Sequence, residues 1–232
     1  MKNLIVFIAV GLLISVSAFG QIKPKQDDWV AYDLTHDFLL DAPQGLEQSW
    51  RSNGHSLSFT DDVQFSEGSN FSFAYGIGFT SNNYYNNLSI ETDPGNGLEF
   101  ISFLDTDTVN SNKLTVQYIH IPIELRFRSN PNQKGNFFRF YVGAKVGVRI
   151  NSYSKLITDQ FNRQFNDLGS LNRFMYGAYT RIGYSFINIY AYYSLSDLFS
   201  DQLYPVGVNP ALAFTEKFSP GTPISVGISL TL

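Results

Sequence analysis

The stretch "FFRFYVGAKVGVRI", residues 137–150, decides the fold. Taken at every second position it separates into Phe138, Phe140, Val142, Ala144, Val146, Val148 and Ile150 on one side and Arg139, Tyr141, Gly143, Lys145, Gly147 and Arg149 on the other. An unbroken period of two is the mark of a β-strand with one face in oil and one in water. Which face points inward decides what kind of object the strand builds. A soluble barrel or sandwich keeps the apolar face in its core, and a barrel in a membrane turns it outward.

The same alternation recurs along the chain. Residues 69–80 place Phe71, Phe73, Tyr75, Ile77 and Phe79 against Ser72, Ala74, Gly76, Gly78 and Thr80. Residues 118–128 place Ile119, Ile121, Ile123, Leu125 and Phe127 against Tyr118, His120, Pro122, Glu124, Arg126 and Arg128, and residues 223–232 alternate Ile, Val and Leu with Ser, Gly and Thr. Weaker versions at 29–40, 52–65, 174–184 and 187–198 bring the number of predicted strands to about eight, the low end for a bacterial transmembrane barrel. Asp61 falls in the outward phase between Phe59 and Val63, which predicts a β-bulge near residues 60–62. Residues 98–104, with a partner near 84–91, predict either a hairpin projecting from the rim or two more barrel strands, making ten.

The connections alternate too. Segments 41–51, 81–112, 151–173 and 199–221 are long and polar, whereas 66–70, 129–136 and 185–186 are short. Successive connections of an up-and-down sheet lie at opposite ends. All long loops therefore share one rim, and all tight turns share the other with both termini, as in outer-membrane barrels.

Composition favours the outward-facing oil. Charged residues make up 16% of the 232 residues and aromatics another 16%, against about 25% charged in ordinary soluble domains. That is too few charges to coat the outside of a soluble barrel. The polar face of each strand is dominated by Gly, Ser, Thr and Tyr, which suit the narrow interior of an eight-stranded barrel better than a crowd of Phe and Ile would. Tyr32, Tyr75, Tyr176, Tyr184 and Tyr193 fall in the apolar phase, several near strand ends, where aromatic girdles sit at headgroup level. The fold class expected is all-β, a transmembrane antiparallel up-and-down barrel in the cell outer membrane.

The beginning of the chain agrees. A basic Lys2, an apolar run over residues 4–16 and the small residues Ala18 and Gly20 before Gln21 read as a secretory signal peptide, residues 1–20, cleaved to leave a barrel domain of residues 21–232. The run is shorter than the ~20 residues of a spanning helix. Cysteine is absent, so the chain has neither a disulfide framework nor a lipid-modified cysteine. The net charge of -4 gives no support to nucleic-acid binding.

The segments "YIHIPIELRFR", "FRFYVGAKVGV" and "YGAYTRIGYSFINIYAYYSLSDLF" carry a resemblance: the chain resembles the PorT-like outer-membrane β-barrel family of Bacteroidetes. An inward proline, a basic and glycine-rich strand after it and a "YSLSDLF" ending are shared. The resemblance implies a small outer-membrane barrel, and one member of that family is linked to a secretion apparatus.

Little in the chain suggests chemistry. His36 beside Asp37, and His55 near Ser56 and Ser58, are the pieces of a serine hydrolase, but read more simply as rim or strand residues. His120, in the inward phase with Glu124, predicts a lumen hydrogen bond. The oxygen-rich "DTDTVNSN", residues 105–112, lacks the turn glycine and closing glutamate of a Ca²⁺ loop. "NNYYNN", residues 82–87, reads as an exposed loop resting on lipopolysaccharide. No catalytic, cofactor or metal site is therefore expected. The inward charges Asp33, Asp37, Glu124, Arg126, Arg139, Lys145, Arg149 and Arg181 are expected to pair and fill the lumen rather than select ions. The function expected is that of a non-enzymatic envelope protein, with a narrow pore and a membrane-embedded lipid hydrolase as alternatives. Expected partners are outer-membrane lipids, lipopolysaccharide and an envelope or secretion protein.

Overall fold

The computed structural model describes residues 28–200 and 221–232, except 94, 96, 98 and 105–108, together with the backbone of 203–206 and 214–217. The expected signal peptide, part of the oxygen-rich stretch 105–112 and most of the expected loop 199–221 lie outside the described residues.

The strands run in chain order as β1 (Val30–Leu40), β2 (Asn53–Gln64), β3 (Phe71–Tyr85), β4 (Leu88–Thr92), β5 (Glu99–Phe103), β6 (Ser111–Arg128), β7 (Phe138–Ile157), β8 (Asn162–Asn166), β9 (Phe174–Tyr184), β10 (Ile187–Ser194), β11 (Leu203–Val206), β12 (Phe214–Lys217) and β13 (Thr222–Thr231). Eight of them close a ring. β1, β2, β3, β6, β7, β9, β10 and β13 pair antiparallel in that order, and β13 pairs back to β1 from Ala31↔Thr231 to Leu40↔Thr222. The seam is finished by Val30 N–H donating to Leu232 O at 3.0 Å and Leu232 N–H to Val30 O at 2.9 Å. Closure satisfies the backbone groups that an open edge would leave bare in lipid. The eight predicted strands are these eight, and the alternation of long and short connections holds. Ser185, with φ of 57°, makes the tight turn between β9 and β10.

The burial pattern answers which face is wet. In β7 every residue from Phe138 to Gly147 alternates between exposed and buried, with the charged set inside: Val146 is 50% exposed and its neighbour Lys145 is 6%. In β6, Ile121 is 51% exposed and Arg126 1%. A soluble barrel would show the reverse. Tyr32, Tyr176, Tyr184 and Tyr193 are exposed on the outer face, and Tyr75 is half-buried there.

Two local expectations are corrected here. β2 has no bulge near residues 60–62, because its register with β3 runs unbroken from Asn53↔Asn83 to Gln64↔Ser72. Asp61 stands in regular outward phase three residues from the strand end, close enough to the rim for its carboxylate to reach interfacial water. The bulge lies elsewhere: Gln117 faces Asn151 while Tyr118 faces Arg149, leaving Ile150 as the extra residue of β7. A gap in the β3–β6 ladder between Tyr75↔Ile123 and Gly78↔His120 falls opposite Pro122, which has no N–H to give. Finally, "NNYYNN" is mostly strand, since β3 runs to Tyr85 with Asn82 and Tyr84 facing inward.

β4 and β5 form the hairpin anticipated around residues 98–104, outside the ring. It neither projects nor widens the barrel. With the backbones of β11 and β12 it makes a second sheet in the order β12-β11-β5-β4, and Leu88, Ile90 and Ile101 bury against Leu114, Val116, Leu168, Leu171, Leu198 and Phe199. The hairpin's apolar side covers the mouth because it would otherwise lie bare in water.

Candidate functional site

The lumen is packed in layers, each set by the inward phase of several strands. At the mouth shared with the tight turns sits Asp28, just before β1. Its carboxylate accepts from Arg128 Nε at 3.2 Å, from Arg139 Nε and Nη2 at 3.0 and 2.8 Å, and from the Tyr141 hydroxyl. Its carbonyl accepts from Arg126 Nη1 at 2.8 Å and Thr60 Oγ1 at 3.2 Å. Burial alone would push the Asp28 carboxyl up. The Arg139 hydrogen bond and the charges of Arg128 and Arg139 outweigh it and hold it well below the usual carboxylate range.

Beside it, Asp62 on β2 accepts from Arg126 Nη1 at 3.0 Å and from Arg128. Glu124 binds Arg126 Nε at 2.5 Å, the Tyr179 hydroxyl at 2.7 Å and Arg181. Arg181 also grips Asp33, at 2.9 Å from Nη2 to Oδ2. The guanidiniums lie on tyrosine rings, Arg126 5.0 Å from the Tyr141 centroid and Arg181 4.9 Å from that of Tyr179. Glycines make room for the rings. A Cβ at Gly143 would lie 2.6 Å from Tyr179 Cζ, and one at Gly78 would lie 2.4 Å from His120 Nε2.

Of the residues expected to line the lumen, Asp33, Glu124, Arg126, Arg139 and Arg181 come together here. Three stand apart. Asp37 accepts from Thr35 Oγ1 at 2.7 Å and Asn82 Nδ2 at 2.6 Å rather than from a cation. Lys145 sits among tyrosines, 3.2 Å from the Tyr190 hydroxyl and 4.2 Å from the Tyr192 ring centroid. Arg149, half-buried at the bulge, donates to Leu168 O at 2.6 Å.

Asp28, Asp62 and Arg128 complete the cluster and were not among the expected residues. Asp62 and Arg128 carried the signal, both lying in the inward phase of their strands. Asp28 did not, because it precedes regular strand geometry and breaks the parity of β1. Among the described residues the buried charges are Asp28, Asp33, Asp37, Asp62 and Glu124 against Arg126, Arg128, Arg139, Lys145 and Arg181. They balance, as a water-poor interior requires.

His120 makes the lumen hydrogen bonds expected of it, to two hydroxyls. Its Nε2 lies 3.2 Å from Ser58 Oγ and its Nδ1 3.2 Å from Thr80 Oγ1, which is a Ser–His contact with a hydroxyl where a hydrolase would need a carboxylate to orient the ring. His36 binds Ser52 O at 2.8 Å and His55 the Tyr32 hydroxyl at 2.7 Å, both on the outer face.

A closed ring of eight antiparallel strands with oil outside and paired charges inside is the architecture of a bacterial outer-membrane barrel. A family model described as outer membrane protein beta-barrel domain matches residues 5–200. The chain belongs to that family. Comparison of this outer-membrane barrel with curated proteins and with solved structures gives no match. Membership places the protein in the outer membrane, and barrels of this kind carry their tight turns on the periplasmic side and their longer loops, here with the capping hairpin, on the extracellular side. The Asp28 cluster therefore closes the periplasmic mouth, and the apolar cap closes the extracellular one.

Proposed function

We propose that this outer-membrane barrel is a non-enzymatic and non-conducting envelope protein, structural or accessory, whose partners meet its two rims rather than its lumen. The observation that carries the reading is the filled interior: an ionic cluster at the periplasmic mouth, tyrosines around Lys145 in the middle, and an apolar cap above. An eight-stranded barrel has room for such side chains or for a passage, not for both. Ions would have to displace buried pairs, each costly to open. Planar-bilayer recording on the purified protein tests this. No stepwise current is expected, and discrete conductance steps would replace the reading with that of a narrow pore.

The PorT-like resemblance gives the accessory role a direction. The segments that carry it form the β6–β7 and β9–β10 hairpins, whose turns at 129–136 and 185–186 face the periplasm. These turns are where a periplasmic secretion or envelope partner would dock. Crosslinking in cells from position 134, followed by mass spectrometry, tests it. Recovery of lipid alone would leave the barrel without a partner at that rim.

A further inference from the structure

Above the apolar band, the outer face of β2, β3, β6 and β7 changes character. On β6 the outward residues Leu125, Ile123, Ile121 and Ile119 give way to Gln117, Thr115 and Lys113. Here the side chains bond sideways across strands. Asn151 Nδ2 donates to Gln117 Oε1 at 3.0 Å, Thr115 Oγ1 to Asn83 Oδ1 at 2.9 Å, and Asn83 Nδ2 to Asn53 Oδ1 at 3.2 Å. The result is a polar collar held by its own hydrogen bonds.

A row of cations and rings stands on this collar. Arg51 lies 5.0 Å from the Tyr85 ring centroid, and Lys113 lies 5.9 Å from Tyr85 and 5.5 Å from Tyr153. Lys113 also faces Lys155 directly across the β6–β7 ladder. Like charges opposed in this way are unfavourable, and among the described residues Arg51, Lys113 and Lys155 form no ion pair with a carboxylate. Lys113 stands six residues beyond Ile119, roughly 20 Å along the strand at ~3.4 Å per residue. With the tilt of a barrel strand this is about 15 Å above Ile119, the last apolar residue of the outer face of β6 on this side. An outer-leaflet glycolipid carries its phosphorylated sugars on this side, above the acyl chains that meet the apolar band.

We propose that the ridge formed by Arg51, Tyr85, Lys113, Tyr153 and Lys155 binds the phosphorylated saccharide headgroup of lipopolysaccharide, whose acyl chains lie along the apolar face below. The phosphates supply the anions that the opposed lysines lack, the tyrosines offer faces to sugar rings, and the collar fixes the cations in place. Continuity with the lipid-facing band favours a membrane lipid over a soluble anion or a protein.

Trp50, 85% exposed beside Arg51, provides the readout, because the chain has two tryptophans and Trp29→Phe leaves Trp50 alone. This protein, folded in zwitterionic detergent micelles, is titrated with bisphosphorylated lipid A, with the same lipid after enzymatic removal of its phosphates, and with inorganic phosphate. Saturable change in Trp50 fluorescence is expected with the first only. Lys113→Gln with Lys155→Gln should weaken it by about tenfold or more. Lys113→Arg with Lys155→Arg should retain it, and both pairs should keep the heat-modifiable mobility of a folded barrel. Equal binding by the Gln and wild-type forms, binding that survives dephosphorylation, or an equal response to inorganic phosphate would overturn the proposal.

Discussion

Arg181 on β9 reaches across the lumen to Asp33 on β1, three strands away around the ring, with Nη2 2.9 Å from Oδ2 and Nε 3.1 Å from Oδ1. The pair ties opposite parts of the wall together from within. Arg181→Ala would strand Asp33, leave Glu124 with Arg126 and Tyr179, and should cost about 3–5 kcal/mol. Asp33→Ala with Arg181→Ala should cost less than the two single changes summed, by roughly 0.5–3 kcal/mol. Urea unfolding in micelles measures the cycle, and strict additivity would show that the pair is solvated.

Glu124 joins two arginines, so Glu124→Ala leaves Arg126 and Arg181 each with one carboxylate, Asp62 and Asp33 respectively. A loss of about 3–5 kcal/mol is expected. Glu124→Gln, which keeps the shape and one acceptor, should lose less. An unchanged unfolding midpoint in the Ala variant would mean that water replaces the carboxylate freely.

Asp28 gives the cluster a pH dependence. Its folded carboxyl titrates below its unfolded value, so the stability it contributes is present above the unfolded pKa of ~3.9 and is lost as pH falls below it. The gap in stability between wild type and Asp28→Asn should thus be largest near neutrality and should narrow between about pH 5 and pH 3. Midpoints measured at pH 7, 5 and 3 test this, and a constant gap would contradict it.

Lys145 and Val146 are neighbours at almost one depth, one in the lumen and one against acyl chains. Val146→Arg should cost roughly 2–4 kcal/mol near the midplane. Position can be read without stability. Since the chain has no cysteine, single cysteines at 145 and 146 can be labelled, and a membrane-embedded quencher should reach the label at 146 and not at 145. Equal quenching at both would reverse the orientation.

Deleting residues 227–232 removes half of the β1–β13 pairing, from Thr35↔Gly227 to Ala31↔Thr231, and the Leu232–Val30 seam. An opened edge in lipid leaves several backbone groups unsatisfied at several kcal/mol each. Insertion should fail. Protease resistance of the truncated chain in detergent would show that the ring can close without the last half of β13.

The ring itself was legible in the sequence, because a strand's side chains alternate with a period of two whatever lies around it, so "FFRFYVGAKVGVRI" exposes both faces without a partner. The alternation of long and short connections then set the direction of each strand. Contacts across the lumen obey no such local rule. Asp28 and Arg139 are separated by 111 residues, and Lys145 has the same inward phase as Arg139 yet meets tyrosines instead of carboxylates. Which charge faces which depends on barrel stagger and on rings such as Tyr141 and Tyr179. The strand at 99–103 was visible, but the folding of its hairpin with β4 over the mouth followed from what Leu88, Ile90 and Ile101 could bury against. Side-chain phase is a local property of the backbone, whereas pairing across a closed ring exists only once the ring has closed.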